Sequence, residues 1–267
     1  MKTISIIGVG NLAACLIHRL IYSKTPVKIQ LYDKDIKKNT YSRRKNISFS
    51  IRIDSKISKS DMILLAVKPN KFSSISEELS KYIKPKTIII SLMAGLKINL
   101  LSQSIDTKNT IVRVMTNINA RYGNANSFYY IPKKHGNKND KAITNFLEVF
   151  GECEKVKNER EIDKLTALSG SGPAYFIFFT EIVKKVFKDF GFNDKKSNKL
   201  AVDLFFSTAF TCKESGIDLK KIQNTVVSKN GTTQAALTTM KERKLEDIIM
   251  KSIKSAFKKS IEIGKNN

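Results

Sequence analysis

The chain has 267 residues, 41% of them hydrophobic, which is enough for one large or two modest cored domains and too much for wholesale disorder. No apolar run reaches the roughly 18 residues of a membrane-spanning helix. Three cysteines without metal-ligand spacing exclude a disulfide framework. The net charge of +24 comes from 48 Lys and Arg against 24 Asp and Glu, but only eight are Arg and the lysines are scattered. That pattern reads as compositional bias and not as a nucleic-acid surface, which would gather basic residues on one face and favour Arg.

In chain order, Thr3–Ile7 reads as a short β-branched strand ending in Gly8-Val9-Gly10-Asn11-Leu12-Ala13. Leu12, Leu16, Ile17 and Leu20 then recur at helical spacing. Leu12-Ala13-Ala14-Cys15 also reads like a lipoprotein cleavage box, but Gly8, Gly10 and Asn11 interrupt the apolar run that secretion needs, so a cytoplasmic chain is expected. Val27–Tyr32 is a second strand closed by Asp33. Asp61–Val67, Thr87–Met93, Ile111–Met115 and Ser127–Ile131 are further strands, and a polar helix runs to about Tyr82. Continuous apolar strands alternating with helices predict a parallel sheet covered on both faces.

Beyond about Glu159 only Pro173 remains of the five prolines, and the pattern turns helical. Phe176, Phe179, Ile182, Val183 and Val186 form one apolar stripe; Leu245, Ile248, Ile249, Ile253, Ala256, Phe257 and Ile261 form another. The expected fold is α/β: an N-terminal Rossmann-type dinucleotide-binding domain over 1–158, followed by an all-α C-terminal dimerisation domain over 159–267.

Four motifs carry chemistry. Gly8-x-Gly10-x-x-Ala13 between strand and helix, with Asp33 ending the next strand, fits a dinucleotide: the glycines allow a tight turn and close approach of the pyrophosphate. Asp33 suits the ribose hydroxyls of NAD, whereas Lys34, Lys37 and Lys38 suit a 2′-phosphate, so the cofactor is NADH or NADPH. Ala66-Val67-Lys68-Pro69 and Ala94-Gly95 end apolar strands at the edge where ligands bind in open α/β sheets. Leu168–Tyr175, with two glycines and a proline, reads as a helix break with exposed N–H groups. Ser228–Thr233 places hydroxyls at a helix start, where N–H groups suit a carboxylate or the hydroxyls merely cap. No metal cluster or catalytic triad is evident; His18 and His135 read as structural or surface residues.

Gly8–Ala13, Ala66–Pro69, Met93–Leu96, Val112–Ala120, Thr166–Tyr175 (TALSGSGPAY) and Ser228–Thr233 stand in the order and spacing of one family. From Ile4 to about Gly264 the chain resembles pyrroline-5-carboxylate reductase. The resemblance implies NAD(P)H-dependent reduction of (S)-1-pyrroline-5-carboxylate to L-proline by a homodimer of a kind that often assembles into larger rings; the scattered lysines and the absence of a long apolar run add the expectation of no nucleic-acid or membrane partner. It implies that Ile7, Gly8, Val9, Gly10, Asn11 and Leu12 hold the pyrophosphate and Asp33 the ribose. Ala66, Val67, Lys68, Pro69 and Ala94 would line the nicotinamide path. Glu159, Thr232 and Thr233 would face the substrate, with Thr233 orienting the ring nitrogen.

Four departures stand out. Asn119 replaces a usual proline and Thr116 a frequent one, Thr225 a usual amide side chain, and Ser228-Lys229-Asn230-Gly231 a Ser-Pro-Gly-Gly loop. Asn230 can take the left-handed conformation that loop needs. The departures leave two alternatives: an imine reductase with an altered substrate, and a non-catalytic dinucleotide-binding regulator.

Overall fold

The structure is a computed structural model describing residues 2–41, 44–133 and 136–265. His135 lies outside the described residues. Among them, eight strands form one sheet: β1 (Lys2–Ile7), β2 (Val27–Tyr32), β3 (Ile47–Ser50), β4 (Met62–Leu65), β5 (Ile88–Ser91), β6 (Ile111–Met115), β7 (Ala125–Tyr130) and β8 (Gly151–Lys155). Their spatial order is β3-β2-β1-β4-β5-β6-β7-β8. The order reverses direction between β1 and β4, which opens a crevice at the carboxyl ends of those strands.

Burial on both faces explains the apolar runs. Along β4, Met62 and Leu64 join one core with Ile4, Ile6, Leu16 and Ile90, while Ile63 and Leu65 join the other with Ile7, Ile89, Leu79 and Leu101. Helices α1 (Asn11–Tyr22), α2 (Ser73–Ser80), α3 (Ile98–Ile105) and α4 (Gly136–Leu147) accompany the sheet. Strand pairing is not parallel throughout, as the sequence reading expected: β6 and β7 are antiparallel, with Val114 opposite Tyr129. The connection 116–124 is shorter than the dozen or so residues that a parallel crossover needs. Two strands escaped the sequence reading. β3 (ISFS) and β8 (GECEK) are polar edge strands, and one exposed face removes the continuous apolar signal.

The chain divides into two compact units, Met1–Ser171 with Ala256–Asn267, and Gly172–Ser255. This division falls later than Glu159. α5 (Glu159–Leu165) packs with the first unit, where Ile162 joins Met115 and Val156 in a small core. The second unit is helical: α6 (Gly172–Asp189), α7 (Asp194–Ser215), α8 (Leu219–Thr225), α9 (Thr232–Glu242) and most of α10 (Leu245–Lys265). Asn193 caps α7 by accepting from the Lys196 N–H, and Gly216 ends it in the left-handed region. Within this unit Phe176, Phe178, Phe206 and Phe210 are all more than half exposed in the single chain, and exposed aromatic clusters mark interaction surfaces.

Candidate active site

The glycine turn is built by steric necessity. Gly8 has φ +91°, and a Cβ there would lie 2.9 Å from the Ala66 carbonyl and 2.8 Å from Val67 Cγ1. Its N–H donates to the Tyr32 carbonyl, and the Ala66 N–H donates to the Ile7 carbonyl at 2.8 Å. These contacts draw the ends of β1, β2 and β4 together. Gly10 is the N-cap of α1, yet no side chain caps the helix and no acidic residue stands in its first turn. A Cβ on Gly10 would meet nothing within 4 Å. Uncapped N–H groups facing open space at the positive end of a helix fit a pyrophosphate.

Asp33 closes the other side. Its Oδ2 accepts from the Val9 N–H at 2.7 Å and from Lys38 Nζ at 3.0 Å, and its Oδ1 accepts from the Asp35 N–H at 3.0 Å. Burial pushes the carboxyl up, but the Asp35 and Val9 N–H groups and the Lys38 ammonium outweigh it and hold the group below the usual carboxylate range. Of the three candidate lysines, Lys38 is the one ion-paired to Asp33. Lys68 leads into a turn at Pro69–Lys71, and Ala94 stands beside Gly95, whose φ is +78°. Ile7–Leu12, Asp33, Ala66–Pro69 and Ala94 therefore gather along one edge of the sheet in the first unit.

Glu159, the first residue of α5, is tied inward. Its Oε1 accepts from the Ile98 N–H at 2.7 Å and from Arg113 Nη1 at 3.2 Å, while Arg113 Nη2 reaches Asp163 Oδ1 at 2.7 Å. The Arg113 side chain is only 1% exposed. The sequence reading missed Arg113 and Asp163. The available signal was an arginine inside the apolar run Ile111–Met115, since a buried charge requires a partner.

Thr232 and Thr233 open α9 in the helical unit. The N-cap is Gly231, with no side-chain cap and no acidic residue in the first turn. The Ser228 and Thr232 hydroxyls are therefore not spent on capping. Asn230 has φ +60°, the left-handed conformation expected of it, and its N–H donates to Gln234 Oε1 at 2.6 Å. Any Cβ on Gly231 would run into Ser228 Oγ. The altered loop thus still presents backbone N–H groups and two hydroxyls at a helix N-terminus.

The Leu168–Tyr175 segment falls at a break between α5 and α6. It overlaps a π-helical turn, Thr166–Gly170, after which the Ser171 N–H donates to the Thr166 carbonyl. A Cβ on Gly170 would sit 2.6 Å from Met115 Sδ, so that glycine serves close packing. His18 lies in α1, stacks on Tyr22 and donates from Nδ1 to the Arg121 carbonyl. Among the described residues no cluster of three His, Cys, Asp or Glu side chains could hold a metal ion.

Residues 159–263 match the profile of the pyrroline-5-carboxylate reductase dimerisation family, and residues 3–95 that of the NADP oxidoreductases, coenzyme F420-dependent. The chain is 26% identical to the pyrroline-5-carboxylate reductase of Staphylococcus haemolyticus over 264 residues, covering 97% of both. Residues 159–263 thus form a domain of the pyrroline-5-carboxylate reductase dimerisation family. The pyrroline-5-carboxylate reductase of Staphylococcus saprophyticus is 24% identical over 96% of both chains. The fold is that of the pyrroline carboxylate reductase of Plasmodium falciparum with NADP bound (TM-score 0.87, 22% identity, 98% of each chain). It is equally that of the enzyme from Coxiella burnetii (TM-score 0.85, 23% identity, 98% of each chain).

Proposed function

We propose that the chain reduces (S)-1-pyrroline-5-carboxylate to L-proline with NADH or NADPH, the final step of proline biosynthesis, as a cytoplasmic homodimer. The observation that carries the substrate reading is the uncapped start of α9, with Thr232 and Thr233 as its first residues. Its N–H groups suit the substrate carboxylate, with the positive helix end assisting. The Thr233 hydroxyl orients the ring nitrogen, and Glu159, through the oxygen not tied to Arg113 and Ile98, faces the cationic imine. The dinucleotide, when bound, supplies the hydride. Ile7–Leu12 hold its pyrophosphate, Asp33 its ribose, and Ala66–Pro69 with Ala94 flank the nicotinamide. Hydride transfer to a protonated imine needs chiefly alignment and exclusion of water, so the lack of an acid–base triad is no obstacle.

Residues 1–158 act as the dinucleotide domain and 159–267 as the substrate and dimerisation domain. The exposed phenylalanines of α6 and α7 become the dimer surface, and dimers assemble into a larger ring. No helix among the described residues is long and apolar enough to cross a membrane. The scattered lysines argue against a nucleic-acid partner. Following NADH and NADPH oxidation with pyrroline-5-carboxylate tests the proposal. Turnover with another cyclic imine alone would identify a related imine reductase. Tight dinucleotide binding without turnover of any cyclic imine would identify a regulator.

A further inference from the structure

Gly264 sits in the last turn of α10, although glycine is among the poorest helix formers. Its position has a packing reason. A Cβ on Gly264 would lie 3.0 Å from the carbonyl carbon of Gly95 and closer still to its oxygen. Conversely, a Cβ on Gly95 would lie 2.6 Å from the Gly264 nitrogen and 2.9 Å from the Ser260 carbonyl oxygen. Ser260, one helical turn earlier on the same face, is 3% exposed. Two backbones therefore touch directly, with both side chains reduced to hydrogen at the contact. This contact lies wholly within the first compact unit, which includes Ala256–Asn267.

The element being touched is the turn after β5. Met93 and Leu96 anchor it from below in the core, and Glu159 holds its exit by accepting from the Ile98 N–H. Ala94 and Gly95 lie between Met93 and Leu96 without such an anchor of their own, and α10 rests on Gly95. We infer that the last two turns of α10, through Gly264 and Ser260, are positioning elements of the cofactor site: they fix the Ala94–Gly95 turn and thereby the seat of the nicotinamide ring. The end of α10 is thus part of the dinucleotide machinery, although it lies far in sequence from every dinucleotide motif. The inference rests on the proposed reading of Ala94 as a nicotinamide contact.

A side chain at position 264 pushes directly on Gly95. Removal of the turn frees it. The adenosine half of the cofactor is held elsewhere, at Gly8–Leu12 and Asp33, and is untouched by either change. The test uses Gly264→Ala, Gly264→Val and a chain ending at Ile263, each checked for folding by its melting curve. Binding of NADPH and of its nicotinamide-free fragment, 2′-phospho-ADP-ribose, is measured by titration, with NADH and ADP-ribose as the parallel pair. A misplacement of about 1 Å costs up to about a hundredfold in turnover. The expected result is weaker intact-cofactor binding and at least a roughly tenfold loss of kcat/KM, with fragment affinity unchanged. Equal loss for cofactor and fragment, or no loss in the folded variants, overturns the inference while leaving the proposed function standing. Failure of the wild-type protein to bind either dinucleotide overturns both.

Discussion

The ion cluster around Arg113 offers a sharp energetic test. The Arg113 side chain is 1% exposed, against 11% for Asp163 and 24% for Glu159, and its Nε has no hydrogen-bond partner. Asp163→Ala removes the stronger contact and leaves Nη2 as well as Nε unmatched inside the first unit. Breaking one side of a buried pair costs about 3–5 kcal/mol. At about 2–4 °C per kcal/mol for a unit of this size, the melting temperature should fall by about 6–20 °C. The control is Asp203→Ala on α7, whose pair with Lys199 is more than half exposed on both sides and should leave the midpoint within error. Calorimetry at constant protein concentration and pH 7 keeps dimer dissociation from confusing the comparison. The triple variant Arg113→Met, Glu159→Gln, Asp163→Leu should recover most of the loss, because uncompensated charge and not lost contact area dominates. A shift below about 2 °C for Asp163→Ala would refute this reasoning.

Three further outcomes are expected. Thr233→Ala should lower kcat/KM for pyrroline-5-carboxylate by about tenfold to a hundredfold, from about 1.5–3 kcal/mol for a hydrogen bond to a charged group, with dinucleotide affinity retained; steady-state kinetics beside a melting curve decides whether the hydroxyl serves chemistry or folding. The Asp33 carboxyl is held below its unfolded value of about 3.9 by N–H groups and Lys38. Its stabilising contribution is therefore complete above about pH 5 and lost as pH falls through the depressed folded value; denaturation midpoints between pH 6 and pH 2 should fall less steeply for Asp33→Asn, and an unchanged slope would refute the assignment. Sedimentation of the wild type at micromolar concentration should give a dimer or a larger assembly, and Phe178→Glu with Phe206→Glu should shift it toward monomer, since both side chains are about 70% exposed in the single chain.

Much of this molecule is written locally. The Gly8-Val9-Gly10 turn, the buried β4 and β5 runs and the amphipathic helices follow from steric limits on φ and from periods of two and 3.6 residues, which a short window of sequence displays. The left-handed Asn230 is a local consequence too. The family resemblance, carried by TALSGSGPAY and the spacing of the other motifs, adds the chemistry. Distance in sequence hides the rest. Arg113 meets Asp163 fifty residues later, Lys38 is selected over its neighbours by the reach to Asp33, and Gly264 meets Gly95. The polar edge strands β3 and β8 likewise depend on which strand lies alongside, not on their own residues. Composition and periodicity decide what each segment is. Only the packed fold decides which charged group finds its partner and where two backbones come close enough to require glycine, because those energies exist only between segments already brought together.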